Sequence, residues 1–286
     1  MSHEPARDPM PSRFAPDPDM RERVVLIGRN IAHSRSPRLH NHLFELYGIP
    51  LRYELMPLER DEVVAAIVAM KRGGFRGANV TSPHKETVMP ALDDLTDQAR
   101  RIGAVNTIVF DDGRATGHNT DRDGFARSLA GEPLVDAPCS ANILGTGGAA
   151  MAATDALLGL STISRLTLYS RSEAHAVEIA SGWHDDRLTG MPLDAYRPAD
   201  LVVHATPVGL AGSGGALLTE EQLRGTGLLY EMIYSPAETE LMRRARAVGT
   251  RCVGGRRMFV FQAMRAFEIW TGMMPKESDI PADLFA

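Results

Sequence analysis

The sequence predicts an α/β fold in two successive domains, each built around a mostly parallel sheet. Strand-like and helix-like segments alternate from about Arg23 onward, as they do where helices connect parallel strands. A second series starts near Ser140, where a buried strand, a glycine turn and a helix follow one another. The chain has 286 residues, with no internal repeat and no long low-complexity linker, and is long enough for two modest domains.

In the first series, short apolar runs predict strands and apolar residues at helical spacing predict helices. The predicted strands are residues 24–28, 51–58, 77–80 and 107–110, followed by a turn at Asp112-Gly113 and a short strand. The predicted helices are residues 37–47, 61–70 and 94–102. Ser36 is placed to cap the first of these helices, and Pro37 suits its first turn.

The second series has the same two signals. Its predicted strands are residues 141–145, 165–171, 200–207 and 227–234. Its predicted helices are residues 151–158 and 258–270, and the last of them is expected to fold back on the first domain.

The composition is that of an ordinary globular protein, with 44% apolar and 23% charged residues. The net charge of -5 provides no basic field for nucleic acid or an anionic membrane, and no apolar run is long enough to span a bilayer. Residues 1–20 are polar and rich in proline, which predicts a disordered leader and not a signal peptide. Cys139 and Cys252 lack metal-ligand spacing, so we expect no metal site and a cytoplasmic protein.

The glycine turn at the start of the second series is the first candidate binding site. Gly145, Gly147, Gly148 and Ala149 lie between a predicted strand and a helix, where backbone N–H groups can approach a pyrophosphate. The spacing G-x-G-G-A is shorter than the full dinucleotide fingerprint, and glycines in many loops only turn the chain. The strand and helix on either side favour a dinucleotide site.

The end of the next predicted strand bears on the choice of dinucleotide. An acidic residue there favours a free ribose 2′-hydroxyl, whereas an arginine accommodates a 2′-phosphate. Arg171 stands at this position between two serines, and Glu173 lies one step into the following helix. An exposed arginine on a surface loop is the alternative interpretation. With the glycine turn beside it, Arg171 predicts NADP as the cofactor, with NAD possible.

Polar clusters follow three predicted strands of the first series. They are Ser34-Arg35-Ser36, the segment 79–85 and Asn119-Thr120-Asp121. Ligands of open α/β sheets bind beyond the carboxyl ends of strands, so these loops can converge. Two serine hydroxyls can donate to a carboxylate, and a lysine beside a carboxylate forms an acid–base pair. Taken singly, each has a structural alternative: a helix cap for Ser36, a solvated lysine for Lys85, and turn or cap residues for Asn119 and Asp121.

Together these segments resemble the shikimate and quinate dehydrogenase family over nearly the whole chain after the leader. The matching pieces occur in family order: GRNIAHSRSP (28–37), GANVTSPHKE (77–86), GAVNTI (103–108), GHNTDRDG (117–124), LGTGGAA (144–150), HATPVGL (204–210), YEMIYSPAETEL (230–241) and GGRRMFVFQA (254–263). The resemblance implies a substrate-binding α/β domain at residues 21–125, a Rossmann-like NAD(P)-binding domain at 126–256, and C-terminal helices at 257–286 that return to the first domain.

The resemblance also implies a role for each candidate residue. Lys85 and Asp121 are implied as the catalytic pair beside the reacting alcohol. The residues implied to bind substrate are Ser34, Ser36, Thr81, Asn106, Tyr234 and Gln262. The residues implied to bind the cofactor are Gly145, Gly147, Gly148, Ala149, Arg171, Thr206 and Met258.

The activity implied is reversible reduction of 3-dehydroshikimate to shikimate with NADPH, in chorismate and aromatic amino acid biosynthesis, by a monomer or homodimer. Arg257 stands where relatives have glycine, His118 where aspartate often stands, and Glu231 where aspartate is usual. These departures leave two alternatives: a quinate/shikimate dehydrogenase or related paralogue that uses NAD and another hydroxylated ring acid, or a catalytically silent nucleotide- or metabolite-sensing module.

Overall fold

The computed structural model describes residues 22–210 and 214–286, so the predicted leader at residues 1–20 lies outside the described residues. The chain divides into two compact units. Unit 1 contains the described residues up to Ala99, together with Val105–His118 and Ala266–Ala286. Unit 2 contains Arg100–Ala104 and Asn119–Arg265.

Unit 1 is built on a six-stranded mixed sheet. Its strands are β1 (Glu22–Gly28), β2 (Leu51–Pro57), β3 (Phe75–Val80), β4 (Asp94–Leu95), β5 (Thr107–Asp111) and β6 (Arg114–His118), in the order β2-β1-β3-β5-β6-β4. The helices of this part of the chain are α1 (Ser36–Leu46), α2 (Val63–Met70) and α3 (Asp97–Ile102). The residues of α3 from Arg100 onward belong to unit 2. β1 is parallel to β2 and β3, whereas β5 is antiparallel to β3 and β6.

The hairpin between β5 and β6 turns at Asp112-Gly113, as the sequence predicts. Both residues have positive φ angles, 45° and 73°. This is the requirement of the two-residue type I′ turn, whose twist matches that of the strands it joins. The turn thereby reverses the chain and places the start of β5 beside the end of β6.

The end of the C-terminal helix contributes to the core of unit 1. Trp270 is fully buried, and its indole N–H donates to the Ile108 carbonyl at 3.0 Å. Arg76 donates to the Trp270 carbonyl at 2.9 Å. A side chain at Gly77 would place its Cβ 2.2 Å from Trp270 Nε1, so glycine is required where the indole crosses the sheet.

Unit 2 is built on a fully parallel six-stranded sheet. Its strands are β7 (Cys139–Leu144), β8 (Ile163–Ser170), β9 (Leu188–Pro192), β10 (Leu201–His204), β11 (Leu228–Glu231) and β12 (Arg251–Gly254). The helices of this part of the chain are α4 (Thr120–Leu129), α5 (Gly148–Leu158), α6 (Glu173–Gly182), α7 (Glu220–Leu223), α8 (Glu240–Ala247) and α9 (Arg256–Thr271). The residues of α9 from Ala266 onward belong to unit 1.

The strand order of unit 2 is β12-β11-β10-β7-β8-β9. The order reverses between β7 and β10, and this reversal is the topological switch point at which open α/β sheets bind dinucleotides. Ile143, Leu168 and Val203 are fully buried in the unit's main apolar cluster. The predicted α/β fold class is therefore confirmed, with a mixed sheet in one unit and a parallel sheet in the other.

Two local predictions are wrong. The predicted helix 94–102 starts only at Asp97, because Asp94 and Leu95 pair with β6 as a short strand. Ser36 does not cap α1: the N-cap residue is Arg35, without a side-chain cap hydrogen bond, and Ser36 is the first helical residue. Among the described residues, none of the helices combines the length and apolar character that crossing a membrane requires.

Candidate active site

The carboxyl ends of β1 and β3 lie side by side in unit 1 and position the first set of candidate residues. The N–H group of Thr81, just after β3, donates to the Ile27 carbonyl at 2.8 Å. Asn106 precedes the antiparallel strand β5 and so comes to the same edge, where its carbonyl accepts the Val80 N–H at 2.8 Å. A side chain at Gly28 would place its Cβ 2.5 Å from Thr81 Cγ2, so the loops after β1 and β3 meet closely.

The two serines after β1 are hydrogen bonded to each other. The Ser34 hydroxyl donates to the Ser36 hydroxyl at 3.2 Å and accepts the Ser36 N–H at 3.2 Å. Ser36 is buried and Ser34 is partly exposed. Each hydroxyl can turn its proton to an incoming acceptor, so the pair has the donors that a carboxylate needs.

Lys85 lies on a loop that is anchored by two hydrogen bonds, one at Lys85 and one at His84. Its carbonyl accepts the Val105 N–H at 2.8 Å. His84 beside it is fully buried, and its Nε2 atom contacts the Leu58 carbonyl at 2.8 Å, which requires the proton on that nitrogen. The Lys85 side chain is partly exposed on this fixed backbone, as an acid–base group must be to reach a ligand.

A buried polar network supports Asn106 from below the same edge. The Tyr53 hydroxyl donates to Asn79 Oδ1 at 2.7 Å. The Asn79 amide donates to the Asn106 carbonyl at 3.1 Å and to the Thr107 hydroxyl at 3.0 Å. The Thr107 hydroxyl in turn donates to Asn106 Oδ1 at 3.0 Å. These bonds fix the backbone and the side-chain oxygen of Asn106.

His40 of α1 lies behind this network. Its ring stacks on Tyr53 with 4.6 Å between ring centroids and meets Trp270 edge-on at 5.2 Å. Both ring nitrogens are buried without a hydrogen-bond partner among the described residues. Burial lowers the pKa of His40 to about 3, so the ring is neutral in the folded protein.

In unit 2, Asp121 lies in the first turn of α4. The side-chain oxygen of Asn119 accepts the backbone N–H groups of Asp121 and Arg122, and the Asn119 amide donates to the Ala104 carbonyl at 2.8 Å. Asp121 is buried, with 7% of its surface exposed.

The start of α9 packs against α4 one turn after Asp121. A Cβ at Gly124 would lie 2.8 Å from Gln262 Cβ and 2.9 Å from the Met258 carbonyl, so only glycine permits this approach. The Gln262 amide donates to the Phe259 carbonyl at 2.8 Å, and the Tyr234 ring lies 4.7 Å from that of Phe259. The structure therefore brings Met258 and Gln262 to the helix that carries Asp121, and Tyr234 packs on the same part of α9.

The glycine turn has the geometry of a phosphate cradle. Gly145 has a φ of +117°, and a Cβ there would lie 3.0 Å from Thr206 Cγ2. Gly147 is extended, and a Cβ added to it would meet no atom within 4 Å. Gly148 and Ala149 open α5, whose first N–H groups have no partner within the helix. The open space beside Gly147, next to the start of α5, leaves room for the pyrophosphate of a dinucleotide.

Arg171 is exposed directly after β8, and the serines beside it support the backbone. The Ser170 hydroxyl accepts the Ser172 N–H at 3.3 Å, and the Ser172 hydroxyl caps α6 by accepting the His175 N–H at 3.3 Å. Each hydroxyl keeps its own proton for a further acceptor. Glu173 is also exposed, in the first turn of α6.

Sequence reasoning missed two features of unit 2. Asp155 of α5 is buried and accepts hydrogen bonds from Arg122 at 3.2 Å and from Arg101. The bond from Arg122, the residue after Asp121, links α4 to α5, the helix that follows the glycine turn. His204 and Glu231 pair directly across β10 and β11, and His204 also contacts Thr206. The available signal was weak: Glu231 stood out only as a departure from the family pattern.

Comparison with known proteins identifies the family. Residues 26–108 match the shikimate dehydrogenase substrate binding domain, and residues 255–280 match the shikimate 5'-dehydrogenase C-terminal domain. The shikimate dehydrogenase (NADP(+)) of Streptomyces avermitilis is 41% identical over an alignment of 275 positions, and the alignment covers 91% of this chain and 94% of the relative. The chain belongs to the shikimate dehydrogenase family. The resemblance predicted from the motifs is thus confirmed.

Solved structures of the family agree with the two-sheet architecture. The shikimate 5-dehydrogenase of Thermus thermophilus, in complex with NADP(H) and shikimate, superposes with a TM-score of 0.82 and 33% identity, covering 90% of this chain and 96% of that one. The quinate dehydrogenase of Corynebacterium glutamicum, in complex with NAD, has a TM-score of 0.81 and 32% identity over the same shares. Both are similar to this family member in fold and in length.

The departure at Arg257 has a defined place in this shikimate dehydrogenase family member. Its guanidinium lies 5.2 Å from the centroid of the Phe261 ring, and that of Arg127 lies 4.3 Å from the same centroid. Arg257 and Arg127 are both exposed. The Arg257 side chain therefore runs along the surface of α9 and packs on an aromatic ring.

Proposed function

We propose that this protein is an NADP-dependent shikimate dehydrogenase that reversibly reduces 3-dehydroshikimate to shikimate with NADPH. The observation that carries the proposal is the set of polar residues at one edge of the unit 1 sheet, within the segment that matches the family's substrate binding domain. The names of the relatives support the substrate and the cofactor, because the matches cover more than nine-tenths of those relatives' own length. The activity belongs to aromatic amino acid biosynthesis.

Anchoring of the substrate is assigned to two groups of side chains. Ser34, Ser36 and Tyr234 are assigned as donors to the ring carboxylate. Thr81, Asn106 and Gln262 are assigned to the ring hydroxyls. A ring held by its carboxylate presents one carbon to the reaction, and such positioning is a large part of what a protein contributes to catalysis.

Proton movement is assigned to Lys85 and Asp121. When bound, the nicotinamide cofactor supplies hydride transfer to or from the carbon that bears the reacting hydroxyl. Lys85 exchanges the proton of that hydroxyl, since its side chain is partly exposed on a fixed backbone. Asp121, at the start of α4, accepts a hydrogen bond from the same hydroxyl and orients it.

The cofactor is assigned to unit 2. Gly145, Gly147, Gly148 and Ala149 hold the pyrophosphate, and Arg171 binds the 2′-phosphate that distinguishes NADP from NAD. The open space in front of Gly147 supports this assignment. Thr206 and Met258 are assigned to the nicotinamide end.

A second candidate function is quinate/shikimate oxidation with NAD. It is favoured by the quinate dehydrogenase of Corynebacterium glutamicum, whose complex with NAD superposes as well as the shikimate enzymes do. A silent sensing module is disfavoured, because both Lys85 and Asp121 are present.

The deciding experiment follows the absorbance of the reduced nicotinamide ring with shikimate and with quinate, each tested with NADP and with NAD. Shikimate with NADP should give the highest kcat/KM. A higher kcat/KM for quinate with NAD would establish the second candidate, and no turnover with any pair would leave the silent module.

We also propose that the protein is cytoplasmic and is a monomer or a homodimer. Light scattering after size-exclusion chromatography distinguishes the monomer from the homodimer.

A further inference from the structure

A buried carboxylate–imidazole–hydroxyl chain ends at the glycine turn of unit 2. It consists of Glu231 of β11, His204 of β10 and Thr206 just after β10. The carboxylate is fully buried and has three polar neighbours: His204 Nδ1 at 2.9 Å, the Ile233 N–H at 3.1 Å and the Thr239 hydroxyl at 2.8 Å. The Ile233 N–H and the Thr239 hydroxyl donate to different carboxylate oxygens, so both oxygens act as acceptors.

The carboxylate determines which ring nitrogen of His204 carries the proton. An imidazole with one ring proton must place it on Nδ1, because the facing Glu231 oxygens only accept. The Nε2 atom then carries a lone pair, and the Thr206 hydroxyl 2.6 Å away donates to it. The Val208 N–H donates to the Thr206 oxygen at 3.3 Å. The Thr206 hydroxyl proton is therefore used in the bond to His204. The Thr206 oxygen can still accept a hydrogen bond from a ligand.

Thr206 lies where a dinucleotide is expected to bind. β7 and β10 are the strands between which the sheet order reverses, and Thr206 follows β10 while Gly145 follows β7. Thr206 Cγ2 is 3.0 Å from the position of a Cβ on Gly145. Unlike His204 and Glu231, Thr206 is partly exposed. The outer end of the chain is therefore the end that a ligand can reach.

We propose that Glu231 and His204 are positioning residues that hold Thr206 as a hydrogen-bond acceptor for the nicotinamide half of NADP. The matching ligand group is a donor, either a ribose hydroxyl or the carboxamide N–H. The inference rests on the proposed function, since it concerns the cofactor of that reaction. It adds a role for two buried residues that do not touch the cofactor themselves.

The first test measures the dissociation constant of NADP with the whole protein by calorimetry, without substrate. Thr206→Val removes the hydroxyl at nearly constant shape and should weaken binding roughly two- to tenfold, the range of one lost hydrogen bond. Thr206→Ser keeps the hydroxyl and is the matched control, so it should bind NADP nearly as wild type does. Equal affinities for the valine and serine variants would overturn the inference.

The second test separates positioning from a structural role. Glu231→Gln should weaken NADP binding in the wild-type background and have no further effect on binding in the Thr206→Val background. A loss of the same factor in both backgrounds would make Glu231 merely structural. Urea unfolding of the four proteins reports any loss of stability separately, and such a loss should be the same in both backgrounds.

A spectroscopic readout tests the hydrogen-bonded chain in the wild-type protein itself. In wild-type protein with labelled histidines, at mildly alkaline pH, the nitrogen shifts of the His204 ring should show a proton on Nδ1 and none on Nε2. The His204→Asn spectrum assigns the signal. A proton on Nε2 would contradict the proposed hydrogen-bonded chain from Glu231 through His204 to Thr206. If NADP does not bind wild-type protein at all, the proposed function fails, whereas the ring signal still decides the hydrogen-bonded chain.

Discussion

Asn119 caps the helix whose first turn carries Asp121. Its side-chain oxygen accepts the Asp121 N–H at 3.1 Å and the Arg122 N–H at 3.3 Å. One amide oxygen thus fixes both the start of α4 and the backbone of the proposed catalytic carboxylate. The family motif that contains Asn119 therefore combines a structural residue with a chemical one.

We predict that Asn119→Ala lowers the free energy of unfolding by about 1 kcal/mol, the usual cost of a lost cap. It should also lower kcat, because the backbone of Asp121 loses its support. Thr219→Ala is the control, since Thr219 caps α7 through the Gln222 N–H and has no proposed part in catalysis. Urea unfolding and steady-state kinetics measure the two effects. If the two variants lose stability alike and both keep full kcat, the cap does not position Asp121.

Lys85→Ala should lower kcat roughly 100-fold or more while the KM for shikimate changes little. A group that acts on the proton only in the transition state affects kcat and kcat/KM together. Asp121→Asn should lower kcat as well and raise KM, because its carboxylate is assigned to the same hydroxyl. Lys276→Ala, at an exposed position near the end of unit 1, is the control and should behave as wild type. Near-normal kcat in the Lys85 variant would remove it from the mechanism.

Ser34 and Ser36 should bind the substrate carboxylate. Replacing both Ser34 and Ser36 by alanine removes two donors to a charged group, and KM for shikimate should rise roughly tenfold to 100-fold. The kcat should stay within a small factor, since the carboxylate is remote from the reacting bond. Initial rates over a range of shikimate concentrations give both constants. An unchanged KM would leave the pair with only its mutual hydrogen bonds.

Arg171→Ala should weaken NADP binding about tenfold or more and leave NAD binding nearly unchanged. Its guanidinium can donate two parallel hydrogen bonds to a 2′-phosphate, a group that NAD lacks. Arg165→Ala, at an exposed position within β8, is the matched control. Titration of each variant with both cofactors provides the comparison. Equal losses for NADP and NAD would indicate that Arg171 supports the loop and does not select the phosphate.

His40 should make the protein less stable in acid. In the folded protein the His40 ring stays neutral until the pH falls to its pKa of about 3. In the unfolded protein the ring takes up a proton near pH 6.5, its ordinary pKa. Between these values the unfolded state binds more protons, so this group's contribution to the free energy of unfolding falls as pH is lowered, by up to about 1.4 kcal/mol per pH unit.

The test compares urea unfolding at several pH values in that window for wild type and His40→Leu. The leucine variant should lose less stability as pH falls, because it has no ring to protonate in the unfolded state. His175→Leu removes an exposed histidine of α6 and should keep the wild-type slope. Parallel slopes for wild type and His40→Leu would contradict the assignment of His40 as a group that is protonated only on unfolding.

The fold was predictable where apolar patterns are strong. Buried strands such as β7 and β10 consist largely of apolar residues, and their glycine and proline boundaries are clear. β9 was missed because it is an edge strand of the sequence LTGMP, with no apolar alternation to mark it. The sequence predicted a helix at Asp94–Leu95, which is a short strand. Its pairing with β6 joins Asp94 to Thr116, 22 positions along the chain, and a local pattern does not reveal such a contact.

The candidate site was predictable as a set of loops and not as a set of contacts. Strand ends predicted Ser34, Lys85 and Asp121 as candidates, and the order of the family motifs along the chain implied their roles. The chain from His204 to Glu231 depends on the register of two neighbouring strands, which local sequence does not encode. The mutual bonding of Ser34 and Ser36 likewise depends on where α1 begins, and the sequence placed the cap one residue too late.

The course of α9 has a consequence for the order in which the protein is made. Residues 119–265 of unit 2 are continuous, and only the short segment Arg100–Ala104 precedes them. Unit 1 instead needs Trp270, whose indole bonds to the Ile108 carbonyl, and that residue leaves the ribosome after all of unit 2. All residues of unit 2 are therefore synthesised before the last residues of unit 1. The core of unit 1 lacks Trp270 until synthesis has passed that residue.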